Sequence, residues 1–249
     1  MLACTGFRFD ASIFDKNCVP ELIPNGALPL MTGEWESINI KNLYYAGVLT
    51  GVTDNRKYFS SFISGYRYNI RFLNSIFEIK YHDGQLQKEQ LECDAQLIAD
   101  KIIDRISYSS ALLLQQGYFC DLIVKSDVAD TISYYIELPV NYVRETDFGI
   151  AQHYYIITLE YGQYEGDALC IQRDPDPEHS HKDAYIHPII RHYKGHDLVD
   201  EYHAPENLEN DWTFFQSIRT STLKGNEPVA FHRDIYKSGI VKFLNKYLA

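Results

Sequence analysis

The 249-residue chain has no C-x-x-C pair, and its five cysteines, Cys4, Cys18, Cys93, Cys120 and Cys170, are odd in number and widely spaced. That pattern argues against a zinc ribbon or a disulfide framework and favours reduced thiols in a reducing compartment. No Asn-x-Ser/Thr acceptor occurs, and no apolar run approaches the ~20 residues a bilayer span requires. Arg8, Asp10, Asp15 and Lys16 interrupt the start, so no signal peptide is expected and the cytoplasm is the expected location. Basic residues are scarce: 23 Lys and Arg stand against 34 Asp and Glu, a net charge of −11. Phosphate neutralisation needs clustered cations, so a nucleic-acid partner is not expected. Neither G-x-G-x-x-G nor G-x-x-x-x-G-K-[ST] is present, and G-x-S-x-G and H-E-x-x-H are missing too.

What is abundant is tyrosine, 20 residues, a side chain that buries a ring while its hydroxyl seeks a partner. The chain divides in texture near residue 82. Residues 1–82 carry most of the turn punctuation, including Pro24-Asn25-Gly26, Gly33, Gly47, Gly51 and Gly65. Within them Asn42–Val48 reads as a short strand entering a small-residue turn. A helix is expected from about Ser60, capped by Ser60 or Ser61, with Phe62, Tyr66, Ile70, Leu73 and Phe77 on one face and Asp83-Gly84 as the stop. The polar stretch His82–Glu92 reads as a linker. A second helix follows over about 94–116, with Ile98, Ile102 and Ile106 aligned and Gly117 after its end.

The rest has β texture. Ile132–Leu138 and His153–Tyr161 are rich in β-branched and aromatic residues. Residues 189–193 and 198–203 flank Lys194-Gly195-His196-Asp197 as a hairpin. An amphipathic helix with Ile240, Leu244 and Tyr247 closes the chain from about Asp234.

Three features carry possible chemistry. A strand ending in Ala46-Gly47 and followed by a helix start offers close backbone approach and unpaired N–H groups, a site for an anion or an electron-rich ring edge; it can equally be a plain turn. His179, His181, His187, His192, His196 and His203 crowd into 25 residues. A hydrogen-bonded surface hairpin accounts for them better than a metal site, so no metal is expected. Arg67 and Arg71, one turn apart, suit either phosphate or a solvated face.

Three segments, Ala3-Cys4-Thr5-Gly6-Phe7, then Asn42–Gly47, then Ser60–Arg71, together resemble the C-terminal part of the two-dinucleotide-fold flavoproteins. That class contains flavin monooxygenases and pyridine-nucleotide oxidoreductases. More specifically, Asp54-Asn55-Arg56-Lys57 and Ser61–Tyr68 are similar to motifs of the family of the endoplasmic-reticulum flavoprotein associated with degradation. The likeness continues through Leu159–Gly162, His187–Ile190 and Glu209–Trp212. The family's members reside in the ER lumen with a retention signal, whereas this chain ends Asn245-Lys246-Tyr247-Leu248-Ala249.

The resemblance implies an α/β remnant of a two-dinucleotide-binding flavoprotein fold in residues 1–82, followed by an α+β domain in residues 83–249. It implies FAD and NAD(P)H as cofactors of a monooxygenase-like oxidoreductase whose main nucleotide-binding units lie upstream of Met1, so the chain alone is expected to be incomplete for catalysis. Ala46, Gly47 and the backbone of Tyr58, Phe59, Ser60, Ser61 and Phe62 are placed near the flavin, with Asp54, Arg56 and Lys57 as second contacts. Thr5 and Gly6 are placed beside the nicotinamide cofactor. Val48 stands where that class commonly has Asp after the Ala-Gly. The rival reading is a non-catalytic module, residues 83–249, that binds a partner protein or covers a substrate, with an exposed patch on the Tyr-rich strands as its mark.

Overall fold

A computed structural model describes residues 9–54, 59–126, 131–166, 177–207, 210–213, 216–218, 229–231 and 233–248. Its centre is a six-stranded, wholly antiparallel sheet, of order β1-β3-β2-β4-β5-β6. The strands are β1 (Lys88–Glu92), β2 (Phe119–Lys125), β3 (Thr131–Pro139), β4 (Tyr154–Tyr161), β5 (Ile186–Lys194) and β6 (Asp197–His203). A separate pair joins β7 (Gln216–Ile218) to β8 (Val229–Phe231). The helices are α1 (Ile63–Tyr81), α2 (Ala95–Tyr108), α3 (Ser110–Leu114), α4 (Val140–Glu145) and α5 (Arg233–Leu244).

Burial along the strands follows their place in the sheet. Every residue of β4 from Tyr154 to Glu160 is buried, because both faces at the sheet's middle are covered. On one face Tyr155 meets Phe243 of α5 edge-on, and α5 in turn packs on α2. On the other, Tyr154 stacks on Tyr193 while Tyr135 packs on Phe148, which follows α4. The outer strands behave differently. β1 exposes Lys88, Glu89, Gln90 and Glu92, and β6 exposes most of its first half. Charged, exposed outer strands discourage pairing with another chain's strand.

The register shifts once between β2 and β3, at Cys120 and Leu122. At that bulge Glu137 takes φ of 56°, and its backbone N–H reaches the Asp121 carboxylate at 3.0 Å. Asp121 is fully buried and also accepts from Arg105 Nε at 2.7 Å and from the Tyr134 hydroxyl at 3.1 Å. Burial pushes the Asp121 carboxyl up even with Arg105 against it. The bulge thus turns the backbone so that a charged core cluster is hydrogen-bonded.

α2 buries Ile98, Ile102 and Ile106 as their spacing predicts. The expected 94–116 helix is interrupted at Ser109, whose extended backbone ends α2 and whose hydroxyl accepts from Leu112 N–H to start α3. Gly117 then turns the chain into β2 at φ of 66°. In α1 the helical period is right but the buried face differs from the expected one. Tyr68, Phe72, Leu73 and Ile76 are buried, whereas Phe62 and Ile70 are exposed. The buried stripe joins Trp35 and Tyr142 through edge-on contacts of Phe72 with both rings, and Trp35 belongs to the same buried cluster as the sheet.

Three expected features of the chain's first half are replaced. Residues 42–48 form no strand: Tyr44 makes one isolated bridge to Glu36, and Gly47–Thr53 coils into a 3₁₀ turn. The stretch read as a linker contains β1, a polar strand at the edge of the sheet. The 60–62 segment does not cap α1 with a serine. Ser60 is fully buried and gives its hydroxyl to Asp54 at 2.5 Å instead, leaving Phe62 as a cap residue with no side-chain hydrogen bond.

Candidate functional site

The turn at Ala46-Gly47 and the start of α1 lie against one another because three glycines permit it. Gly47 takes φ of 66°, a left-handed conformation that glycine adopts without strain. A side chain at Gly65, inside α1, would collide with the carbonyl of Phe59, and one at Gly51 would meet the Ser61 hydroxyl. Close packing of the 47–53 turn on the first turn of α1 therefore depends on bare backbone.

Beneath this surface runs a chain of buried hydrogen bonds. Asn69 Nδ2 donates to Thr50 Oγ1 at 2.7 Å, and Thr50 Oγ1 donates to the Gly47 carbonyl at 2.7 Å. Gln115 Nε2 donates to Asn69 Oδ1 at 2.5 Å and to the Gly65 carbonyl at 2.9 Å. Tyr118 donates its hydroxyl to the Thr50 carbonyl at 3.1 Å, and burial holds that phenol well above its ordinary pKa. Asn141 Nδ2 reaches the Thr53 carbonyl at 3.2 Å. The turn is thus held from below by Asn69 of α1, Gln115 just after α3, Tyr118 just before β2 and Asn141 of α4.

Above it the surface is apolar and exposed. Phe59, Phe62 and Ile63 are 41%, 61% and 72% exposed, and Val48 and Ala46 are exposed as well. Large exposed side chains at an uncapped helix start leave amide donors with apolar walls beside them, a setting suited to the edge of a planar, electron-rich ring. Phe59 and Phe62 lie side by side with ring centroids 6.4 Å apart, Ala46 is exposed and Gly47 half-buried in the turn, and the Ser61 hydroxyl lies toward Gly51. Ser60 does not face this surface, being spent on Asp54 underneath. Thr5, Gly6, Arg56, Lys57 and Tyr58 lie outside the described residues.

Asp54 also lines a cleft of about 470 Å³ with Thr53, Tyr118, Asn141, Arg144, Glu160, Arg191 and Tyr193. Its floor is the Glu160–Arg191 pair, 2.6 Å apart across β4 and β5, and Arg144 lies over the Tyr193 ring at 5.5 Å. Of the cleft's β-strand residues only Glu160 falls in a family-like stretch, Leu159–Gly162; Arg191 and Tyr193 join it through strand register, which local sequence does not disclose.

The histidines separate into two pairs. His187 Nε2 lies 2.8 Å from His203 Nδ1, and His153 Nδ1 lies 3.0 Å from His192 Nε2. His192 stacks on Tyr155 while Tyr193 stacks on Tyr154, so neighbours 192 and 193 point to opposite faces of the sheet. Among the described residues no group of three or more His, Cys, Asp or Glu is placed to hold a metal ion. Arg67 and Arg71 do not form a phosphate clamp: Arg67 donates to the Tyr68 hydroxyl and Arg71 pairs with Glu137. No helix among the described residues is long and apolar enough to cross a membrane.

No family model matches the chain, and no solved structure matches it. Two curated relatives do. The chain is 25% identical over 208 residues to FAD-dependent oxidoreductase domain-containing protein 2 of Mus musculus, covering 78% of this chain and 30% of the mouse protein. It is 25% identical over 202 residues to the protein of that name from Danio rerio, covering 78% of this chain and 29% of that one. The chain spans about three tenths of the length of the curated relatives it matches. Over most of its own length, then, it is similar to proteins named for an FAD-dependent oxidoreductase domain, and the kinship is distant.

Proposed function

We propose that the chain contributes the flavin-facing turn and helix of an FAD-dependent, NAD(P)H-using oxidoreductase of monooxygenase-like architecture, and that it is incomplete for catalysis by itself. The observation that carries this reading is the exposed, uncapped start of α1, walled by Phe59, Phe62 and Ile63 and packed on a turn that two close-contact glycines bring beneath it. The similarity to proteins named for FAD-dependent oxidoreduction supports it.

The residues present suit one part of FAD only. Amides at the head of α1 and the bare backbone at Ala46-Gly47 suit the isoalloxazine edge, where the helix N-terminus would favour negative charge. When bound, FAD supplies the two-electron redox chemistry, with reducing equivalents from NAD(P)H. This chain's own groups would position and wall the ring: Phe59, Phe62 and Ile63 exclude water, and the Asp54–Ser60 hydrogen bond holds the loop ahead of the helix. No glycine-rich phosphate cradle occurs in the sequence, so the adenosine and pyrophosphate are assigned to a part of the protein outside this chain. On this reading residues 1–82 end the NAD(P)H domain and close the flavin domain, and residues 83–249 form the appended α+β domain.

An exposed aromatic patch on the Tyr-rich strands would favour the rival reading, a partner-binding module. Tyr134, Tyr154 and Tyr155 are instead buried in the sheet.

Titration of the purified chain with FAD, followed by flavin fluorescence and by hydrogen–deuterium exchange over residues 44–66, tests the proposal. Weak binding that protects the amides of 59–64 and disappears in Phe62→Asp is expected. Stoichiometric flavin copurifying with the chain would overturn its incompleteness. FAD binding that leaves 44–66 unprotected would overturn the placement.

A further inference from the structure

The cleft of about 470 Å³ beside Asp54 holds charged side chains whose engagements differ. Arg191 is committed: its Nη1 meets Glu160 Oε1 at 2.6 Å and its Nε donates to Glu201 at 3.2 Å. Asp54 accepts from the buried Ser60 hydroxyl at 2.5 Å. Arg144 of α4 is different. It is exposed and pairs with no carboxylate among the described residues, and its guanidinium carbon lies 5.5 Å from the centre of the Tyr193 ring.

Tyr193 supplies a second open group. It is only 6% exposed and stacks on Tyr154 with ring centroids 5.1 Å apart, so packing fixes where its hydroxyl lies. That hydroxyl makes no hydrogen bond among the described residues, yet it is not sealed off, because Tyr193 lines the cleft. Burial raises the phenol above its ordinary pKa, so it remains an O–H donor at neutral pH. Arg144 over the ring and the hydroxyl at its end are two donors within reach of the two oxygens of one carboxylate.

Charge narrows the ligand further. Glu160 and Asp54 belong to the same lining, so a dianion meets repulsion, whereas a single negative charge matches the single guanidinium left without a carboxylate. Val140 and the rings of Tyr118 and Tyr193 offer apolar contact to the rest of the molecule. We propose that this cleft binds a small monocarboxylate, its carboxylate held by the Arg144 guanidinium and the Tyr193 hydroxyl and its apolar body lying against Val140. The site goes beyond the flavin reading and does not depend on it.

The test is calorimetric titration of the purified chain at neutral pH, without FAD, with benzoate, with benzamide and with phenyl phosphate. Benzamide has the shape of benzoate without the charge, and phenyl phosphate is a dianion. Benzoate is expected to bind at least ~10-fold more tightly than benzamide, the worth of charge-assisted hydrogen bonds, and more tightly than phenyl phosphate. Arg144→Gln should remove the preference for benzoate over benzamide, and Tyr193→Phe should weaken benzoate binding ~10-fold. Lys242→Gln, on α5 and outside the cleft, should change neither. Circular dichroism establishes that Tyr193→Phe folds; Arg144→Gln, at an exposed position, carries the test if it does not. Equal binding of benzoate and benzamide, no binding of either, tighter binding of phenyl phosphate, or an unchanged preference in Arg144→Gln overturns the proposal, as does an equal loss in Lys242→Gln. With FAD absent, none of these outcomes bears on the flavin reading.

Discussion

The indole N–H of Trp35 donates to the phenolic oxygen of Tyr118 at 2.8 Å, joining a loop ahead of α1 to the residue just before β2, one of the sheet's two middle strands. Trp35 is fully buried with φ of 60°, so its backbone holds an uncommon conformation while its side chain anchors the loop. Tyr118→Phe removes the acceptor of that bond and the donor to the Thr50 carbonyl. A loss of about 1–3 kcal/mol in urea unfolding is expected, the cost of stranding buried polar groups. Trp35→Ala should cost more, about 3–5 kcal/mol, because it also opens a cavity.

The two glycines of the candidate flavin surface should respond differently to the same change. Gly65→Ala places a methyl against the Phe59 carbonyl and must separate the helix from its preceding loop. A destabilisation of about 1–3 kcal/mol is expected, as for overpacked interiors. Gly47→Ala meets nothing within 4 Å and bears only the cost of its left-handed φ, about 1 kcal/mol. Thermal unfolding of both variants checks the order, and equal losses would show that the close approach at Gly65 is not tight.

Acid should weaken the fold through its histidines. Burial lowers His187 and His192 from 6.5 to about 4, so the unfolded chain takes up their protons first. Their contribution is fully present above pH 6.5 and is lost as pH falls from there toward 4. With both titrating, stability near pH 5 should fall by up to about 2.7 kcal/mol per pH unit. Denaturant midpoints between pH 7 and 4 measure this, and His187→Gln should flatten the slope. A midpoint constant down to pH 4.5 would refute the assignment.

The core ion cluster predicts an asymmetry. Asp121→Ala leaves Arg105 without its buried partner and should cost about 3–5 kcal/mol. Asp121→Asn keeps an acceptor for Tyr134 and for the Glu137 amide and should cost less. If the two variants unfold at the same denaturant concentration, the carboxylate's hydrogen bonds are not what holds the bulge.

Periodicity made α2 and α5 legible, because their buried residues recur at helical intervals, and Gly195 marked the turn of the β5–β6 hairpin. β2 was not, since Phe119–Lys125 is a short apolar run without alternation, covered on both faces. β1 escaped because an edge strand of Lys, Glu and Gln looks like a linker. The strand expected over 42–48 followed Tyr44 and Tyr45, whose β preference yields to the left-handed Gly47. In α1 the period was right and the face was not: Phe62 and Ile70 look like core by type but are exposed. The turn at Ala46-Gly47 and the helix start could be read locally. Asn69, Gln115 and Tyr118, which hold that turn, lie 19 to 68 residues from Thr50, and nothing local announces them.

The order of the sheet also bears on how the chain reaches its native state. β2 with β3, β4 with β5, and β5 with β6 are neighbours in both sequence and space, and the remaining pairs skip a single strand. Such a sheet can assemble from successive hairpins with short loop closures, which favours early and rapid formation. The 47–53 turn is joined to it late, through Tyr118 and Asn141, over separations of 65 to 88 residues. The candidate flavin surface is therefore the last part to order and the first to loosen, and its amides should exchange with solvent while those of β4 remain protected.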